Sequence, residues 1–363
     1  MKRMPAVSGE IAIAARTSAG LRLAVSHALV VLAVVCETPA AAQARHDALA
    51  PAGVQAAKIA GLWHLTLIVC TAVFVAVLTG VLVALLRGRR ADSSTPPDLS
   101  GNTHPERRAR LGVAAAAGLS VVLLVGLTVA DVLTDRALSK MPVADPLHIE
   151  LTGWQWWWQA HYTGGSGQPG FVSANELHVP IGRPIVIALA AGDVIHSFWV
   201  PNLHGKKDLL PGVKSTIELR ADEPGTYRGP CAEFCGAEHA LMSLTIVAEP
   251  PARYAAWAAA QRADAVQTAD PFALRGMHVF LASHCASCHT VRGTSAKGLL
   301  APDLTHLMSR STIGAGALPN TPENLLAWVR DPQAAKPGVT MPATDYLSDG
   351  DVKAVVAWLE TLK

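Results

Sequence analysis

Gly229-Pro-Cys-Ala-Glu-Phe-Cys-Gly-Ala-Glu-His-Ala-Leu-Met242 places Cys231, Cys235, His239 and Met242 within twelve residues. Two thiols, an imidazole and a thioether make a soft donor set, which suits copper. A mononuclear blue-copper site needs only one cysteine. Two would let both thiolates bridge a pair of copper ions, which then share one electron. Spreading the charge change in this way limits nuclear rearrangement and makes electron transfer fast. A binuclear centre needs one more terminal ligand. His196, in Asp193-Val-Ile-His-Ser-Phe-Trp199, is the natural candidate. It follows an apolar run at 185–190 and precedes aromatic residues that would exclude water. Two other readings stand beside this one. A Cys231–Cys235 disulfide leaves the His and Met spacing unexplained, and a zinc site would gain little from Met.

Around this segment, residues 146–250 hold short β-rich runs at 147–152, 176–179, 185–190, 215–219 and 241–247. Turn signals at Pro180-Ile-Gly182 and Glu223-Pro-Gly225 separate them. The pattern predicts a small antiparallel sandwich or barrel. Within it lies Gly153-Trp-Gln-Trp-Trp-Trp158. If this run is a strand, Trp154, Trp156 and Trp158 share one face and Trp157 the other. Core packing and interfacial aromatics account for most of such a cluster.

Toward the C-terminus, residues 251–269 predict a helix around 254–262 followed by a flexible linker. Residues 270–363 read as mostly helical, opening at 272–283 and closing at 349–362. Ser283-His-Cys-Ala-Ser-Cys-His289 contains C-x-x-C-H. Two thioether bonds at that spacing hold one haem, and the adjacent His289 supplies an axial iron ligand. A thioredoxin-like pair would want a βαβ context. Half a zinc site would want a second Cys or His pair downstream. Met341, in Lys336-Pro-Gly-Val-Thr-Met-Pro342, fits the sixth iron ligand, with Met308 as competitor in an apolar helical context.

Toward the N-terminus, residues 1–44 read as an export signal. Lys2 and Arg3 open a basic region, an apolar stretch runs from 23 to 36, and small-residue cleavage sites end at Ala42 and Ala44. Residues 62–86 and 111–130 are each apolar and long enough to cross a hydrocarbon core of roughly 30 Å. They predict a membrane hairpin over 60–133. Arg87, Arg89, Arg90, Arg107, Arg108 and Arg110 cluster between the spans, so the loop belongs in the cytoplasm and both ends face outward. Of the six cysteines, Cys36 falls in the signal and Cys70 in the first span. The other four form the two close pairs, which leaves none for a long-range disulfide. Lys+Arg is 30 against Asp+Glu 28, without the basic excess that nucleic-acid binding uses.

The motifs H-S-F-W, G-x-x-D-x-x-P-G (Gly205 to Gly212) and C-x-E-x-C-x-x-x-H-x-x-M resemble the binuclear copper (CuA) domain of cytochrome c oxidase subunit II. The C-terminal segment resembles a class I cytochrome c, with Ala301-Pro-Asp-Leu304 standing where that family has G-P-x-L. The resemblance implies a multidomain membrane protein with a two-helix transmembrane hairpin, an all-β cupredoxin-like domain and an all-α cytochrome c domain. It implies that Cys231 and Cys235 bridge two coppers, with His196 and His239 as terminal ligands. Met242 is then a weak axial ligand and the backbone carbonyl of Glu233 the remaining one. The Glu233 side chain would help bind magnesium at the interface with subunit I. One exposed indole, matched by Trp156, would receive the electron.

Electrons would pass from an outside donor, such as a cytochrome c or bc1 complex, to the haem on Cys285 and Cys288. They would continue to the copper pair and then to subunit I, where oxygen becomes water. Subunit III is a further expected partner, and the setting is a bacterial inner membrane with both redox domains on the periplasmic side. The linker of about twenty residues would hold the cytochrome at an effective concentration near roughly millimolar. A nitric oxide reductase small subunit and a membrane-anchored copper assembly factor are the alternatives. The family's glutamate at the start of the second span is followed by tryptophan and proline. Here Glu106 stands in Pro105-Glu-Arg-Arg-Ala-Arg-Leu-Gly112 without either, so it also reads as a solvated charge.

Overall fold

The computed structural model describes residues 44–87, 103–139, 144–165 and 167–363. The expected export signal, apart from Ala44, lies outside these residues, as does the middle of the arginine-rich loop. Helices α1 (Val54–Arg87) and α2 (Thr103–Leu138) have 34 and 36 residues. None of their most apolar stretches is buried by the chain itself. Such faces need an apolar surrounding, which a bilayer supplies. Both helices extend past the expected hairpin limits. The early turns of α1 are longer because they dock on the β domain. Ala56 and Ala60 are buried there, and the fully buried Gln55 donates to the Glu218 carbonyl at 3.1 Å. At the other end, Glu106 accepts from Arg110 one turn on at 2.5 Å, and both are exposed.

The β domain has two sheets. Strands β1 (Leu147–Trp154), β2 (Trp157–Tyr162), β3 (Phe171–Ala174), β5 (Ile185–Ala191) and β8 (Ser215–Leu219) lie in the order β3-β2-β1-β5-β8. Strands β4 (Glu176–Pro180), β9 (Gly225–Pro230) and β10 (Ser243–Glu249) lie in the order β4-β10-β9. The short pair β6 (His196–Phe198) and β7 (Lys207–Leu209) stands apart. Period-two alternation sends Leu147, Ile149 and Leu151 inward from β1, and Ile185, Ile187 and Leu189 inward from β5. The sandwich is not wholly antiparallel as expected, because β1 with β5 and β4 with β10 pair in parallel. Alternation specifies which face is buried. It carries no information on a neighbour's direction once the chain has passed through the other sheet.

The tryptophan run is likewise not one strand. Trp154 ends β1 and pairs with Trp157, which begins β2, so Gln155 and Trp156 form the hairpin turn, with a cis peptide bond between them. At the N-terminal edge, Arg45 adds to β9, donating to the Thr226 carbonyl at 2.8 Å and accepting from the Arg228 N–H at 2.8 Å.

The expected flexible linker is ordered. Helix α3 (Pro251–Arg262) stacks Trp257 on His178 with ring centroids 4.1 Å apart. Beyond it, Arg292 donates to the carbonyls of Arg262 and Ala263 at 3.2 and 2.9 Å. Ala265 is buried in the core of the following domain. These contacts replace solvent along the segment, which removes the freedom a tether requires.

The last domain packs α4 (Pro271–Ala282) against α8 (Asp349–Leu359). Phe280 meets Trp358 at 4.9 Å. Gly276 is the close-approach point, since a Cβ there would lie 1.8 Å from the Ala354 carbonyl oxygen. Asp270, Thr321 and Ser348 cap helix starts by accepting backbone N–H groups. Between the two helices come α5 (Cys285–Cys288), the hairpin β11 (Thr312–Ile313) and β12 (Leu318–Pro319), α6 (Pro322–Arg330) and α7 (Pro332–Ala335).

Candidate metal centre

Two loops build the first site. One leads from β5 into β6 and carries His196. The other joins β9 to β10 and carries the remaining donors. Cys231, Cys235, His196 and Met242 are all buried, at 4, 2, 0 and 0% exposure. Ligand atoms of His196, Cys231 and Cys235 lie within 4.8 Å of one another. The Cys231 Sγ stands 3.9 Å from His196 Nδ1 and 3.3 Å from the Glu233 carbonyl oxygen. The Cys235 Sγ stands 3.6 Å from His239 Nδ1 and 3.8 Å from Met242 Sδ. Both cysteines are free, so no disulfide consumes them. The six donors expected from the sequence are therefore gathered in one cluster.

Their electrostatics suit a cation. Hydrogen bonding from Cys235 pulls the Cys231 thiol well below its ordinary value, and the bond from His196 adds to this. The partner thiol, Cys235, is pushed up by the same contact. One thiolate forms readily, while a second beside it needs positive charge between them. Burial works against a charged His196, but its bonds to Cys231 and Asp193 outweigh burial and raise its pKa.

Asp193 was not singled out by the sequence reading. Its Oδ1 lies 2.9 Å from His196 Nε2 and also accepts from the Val194 N–H. A carboxylate on Nε2 keeps the proton there and leaves Nδ1 for a metal. Its Oδ2 accepts from the Gln155 N–H at 2.6 Å, which ties the tryptophan turn to the histidine loop. Gly153 allows the approach, since a Cβ there would come within 2.9 Å of the His196 ring.

The turn itself differs from expectation. Trp156 is 8% exposed rather than open to solvent. Its indole N–H donates to the Cys235 carbonyl at 3.0 Å, and the Gln155 side chain donates to the same oxygen at 2.8 Å. Its own carbonyl accepts from Lys336 at 2.8 Å. A turn residue with both ends bonded is drawn into the protein. The Glu233 carboxylate accepts from Lys206 at 3.2 Å, and Lys206 also reaches Asp208 at 3.3 Å.

The second site lies on α5. Cys285 and Cys288 are half-buried and free, with the Ser283 hydroxyl 3.2 Å from the Cys285 Sγ. His289 Nδ1 lies 2.7 Å from the Pro302 carbonyl oxygen. A carbonyl only accepts, so Nδ1 carries the proton and Nε2 is left as a ligand. Burial lowers the His289 pKa and favours the neutral ring. Gly298 crosses directly over the motif, where a Cβ would sit 2.4 Å from the Cys288 carbonyl carbon. The Met341 loop is braced by Gln333, which donates to the carbonyls of Val339 and Met341 at 2.6 and 3.1 Å. Met308 packs against the domain core, and its N–H donates to the Leu362 carbonyl at 2.8 Å. The donors and cradle of both sites fit a copper centre and a covalent haem.

Comparison with known proteins agrees. Residues 169–249 match the family described as cytochrome c oxidase subunit II, periplasmic domain, and residues 273–363 match cytochrome c. A cytochrome c oxidase subunit 2 from Alkalihalophilus pseudofirmus is 37% identical over 325 residues, covering 87% of this chain and 90% of the relative. Its counterpart from Bacillus sp. (strain PS3) is 32% identical over 263 residues, covering 68% of this chain and 72% of the relative. Among solved structures, the periplasmic domain of subunit II of cytochrome oxidase from Bradyrhizobium japonicum is 31% identical. It covers 34% of this chain and 97% of that one, with a TM-score of 0.31. A buried thiol–imidazole–thioether cluster, a C-x-x-C-H helix and matches spanning most of the sequence converge on one assignment: the chain belongs to the cytochrome c oxidase subunit II family, in the form that carries a cytochrome c domain.

Proposed function

We propose that this membrane-anchored oxidase subunit passes electrons from a haem on Cys285 and Cys288 to a binuclear copper centre, and thence to subunit I. Copper and haem would supply one-electron chemistry with no proton or atom transferred between them. Cys231 and Cys235 would bridge the two coppers. His196 and His239 would be terminal ligands, with Met242 and the Glu233 carbonyl completing the set. His289 and Met341 would hold the haem iron. Met ligation raises a haem potential, which suits donation to copper. Both redox domains would face the periplasmic side, and a soluble or membrane-bound cytochrome would be the donor. Subunit III would complete the assembly. Magnesium at the Glu233 side chain would have to displace Lys206 from that carboxylate.

The observation carrying this reading is the gathering of six donors into one cluster, four of them buried, with contacts of 3.3 to 3.9 Å. Electron paramagnetic resonance on the copper-loaded full-length subunit tests it. One unpaired electron shared by two copper nuclei gives more hyperfine lines than a single nucleus produces. A single-copper spectrum would overturn the binuclear assignment.

A further inference from the structure

Lys336 belongs to the cytochrome domain, yet its ammonium is bonded into the copper domain. The residue is 1% exposed. Its Nζ donates to the carbonyls of Trp156 at 2.8 Å, Leu241 at 2.9 Å and Gly314 at 2.9 Å. An ammonium has three N–H donors, and these three acceptors satisfy all of them. A lysine is almost never fully buried without such satisfaction. Two of the acceptors lie on the copper side. Trp156 bonds through its indole to the Cys235 carbonyl, and Leu241 immediately precedes Met242. The third is on the tip of the β11–β12 hairpin, within the cytochrome domain.

The same loop that carries Lys336 carries Met341 five residues later. Gln333 braces the second half of this stretch. Its amide donates to the Met341 and Val339 carbonyls, and its side-chain oxygen accepts from the Gly338 N–H at 2.8 Å. The hairpin tip adds a separate contact, with the Ser243 N–H donating to the Ala315 carbonyl at 2.8 Å. At the far edge, Glu176 accepts from the Ser311 N–H at 2.9 Å and from its hydroxyl. Three contacts spread across one face fix an orientation, which a single contact does not.

From this we infer that Lys336 is a positioning residue that locks the methionine loop of the cytochrome domain onto the Trp156 turn. Trp156 thereby becomes an internal relay, closed to diffusible donors. The inference rests on the electron path proposed above and adds the residue that sets its geometry. One electron leaves the reduced haem iron and one arrives at the copper pair. The role of Lys336 is to hold the two sides at a fixed separation while this happens. An outside donor then has only the haem to reduce.

The test uses the assembled holo-oxidase with Lys336→Met, which keeps the aliphatic stem and removes the donors. A photoinjected electron on the haem is followed as it moves to copper. Pulsed electron paramagnetic resonance reads the distribution of haem–copper distances in the oxidised enzyme. Electron transfer falls off exponentially with separation, so transfer should slow several-fold as the two sides lose their fixed spacing. The distance distribution should broaden, while reduction of the haem by an outside donor and the separate spectra of both centres stay unchanged. Wild-type transfer rate with a narrow distribution in the variant would overturn the role of Lys336. A broad distribution already present in the wild type would overturn the locked arrangement. If Lys336→Met does not assemble, Lys336→Gln retains some of the bonds and should give an intermediate rate. Wild-type behaviour in that variant would equally sink the idea. A wild-type enzyme without the binuclear copper signal is a different failure, since it would remove the electron path and leave the docking untouched.

Discussion

The two cysteine pairs of this protein are built in opposite ways. Cys231 and Cys235 are buried, and the donors near them come from the segment between β9 and β10 and from the start of β6, which pairs with β7. Cys285 and Cys288 sit one turn apart on a four-residue helix, half-buried, with serine hydroxyls as their near neighbours. The copper cradle is thus preorganised by long-range structure. The haem motif is a local device: Cys285, Cys288 and His289 would hold a haem from within five residues. A site assembled by topology should be sensitive to distant supports, whereas a site assembled by local sequence should be sensitive mainly to its own residues.

Ligand removal breaks the comparison most sharply. Cys231→Ser should abolish the binuclear copper signal and electron flow to oxygen while leaving the covalent haem spectrum intact. Cys285→Ala should do the reverse, weakening haem attachment and sparing copper. Loss of both centres in either variant would show that the two sites fold as one. A smaller effect is expected at Met341, where Met341→Ala should lower the haem potential and shift its spectrum without changing the copper signal. An unchanged potential would move the sixth ligand elsewhere, with Met308 the first alternative.

Asp193 tests the role of distant support. Asp193→Asn removes the carboxylate that orients His196, and copper affinity should fall by roughly 10- to 100-fold. Copper titration of the variant reads this directly. Affinity equal to wild type would mean that β-sheet register alone aligns the histidine.

The smallest effect is a pH dependence at the far edge of the domain contact. Burial alone would raise the Glu176 pKa, but hydrogen bonds from His178 and Ser311 outweigh it and hold it below the ordinary 4.5. The groups facing it are the His178 imidazole, which also reaches Glu249 at 2.8 Å, and the Arg310 guanidinium. A carboxylate depressed in the folded state contributes stability above its unfolded pKa and loses it as pH falls through the folded value. Acid unfolding should therefore begin at a higher pH in Glu176→Gln, with little difference between the proteins' onsets if the carboxylate contributes nothing. The onset is read from tryptophan fluorescence, since Trp257 stacks on His178 in this network.

Much of both sites was legible because the chemistry is short-range. Cys231, Cys235, His239 and Met242 are neighbours in sequence, as are Cys285, Cys288 and His289, so spacing alone suggested what they bind. The apolar spans were legible for a similar reason, since length and lack of charge are one-dimensional properties. Strand direction was not. The parallel pairing of β1 with β5 depends on how the chain returns through the other sheet, and a two-residue alternation is blind to that. The tryptophan run misled because four indoles suit a strand equally well on either side of a turn. The supposed linker misled because alanine and glutamine tolerate solvent and contact alike. Bonds from Arg292, His306 and Gln261 and the Trp257–His178 stack order it.

The sequence by itself determined what the sites are made of: soft donors at copper spacing, a haem-attachment motif, and two spans that need lipid. The tertiary structure decided how the sites relate. It placed His196 beside Cys231, 35 residues away, set Asp193 behind it, and carried Lys336 across 180 residues to the Trp156 carbonyl. Donor identity is a property of individual side chains. Orientation and exposure depend on which distant backbone groups are free to pair, and those are fixed only when the whole chain has packed.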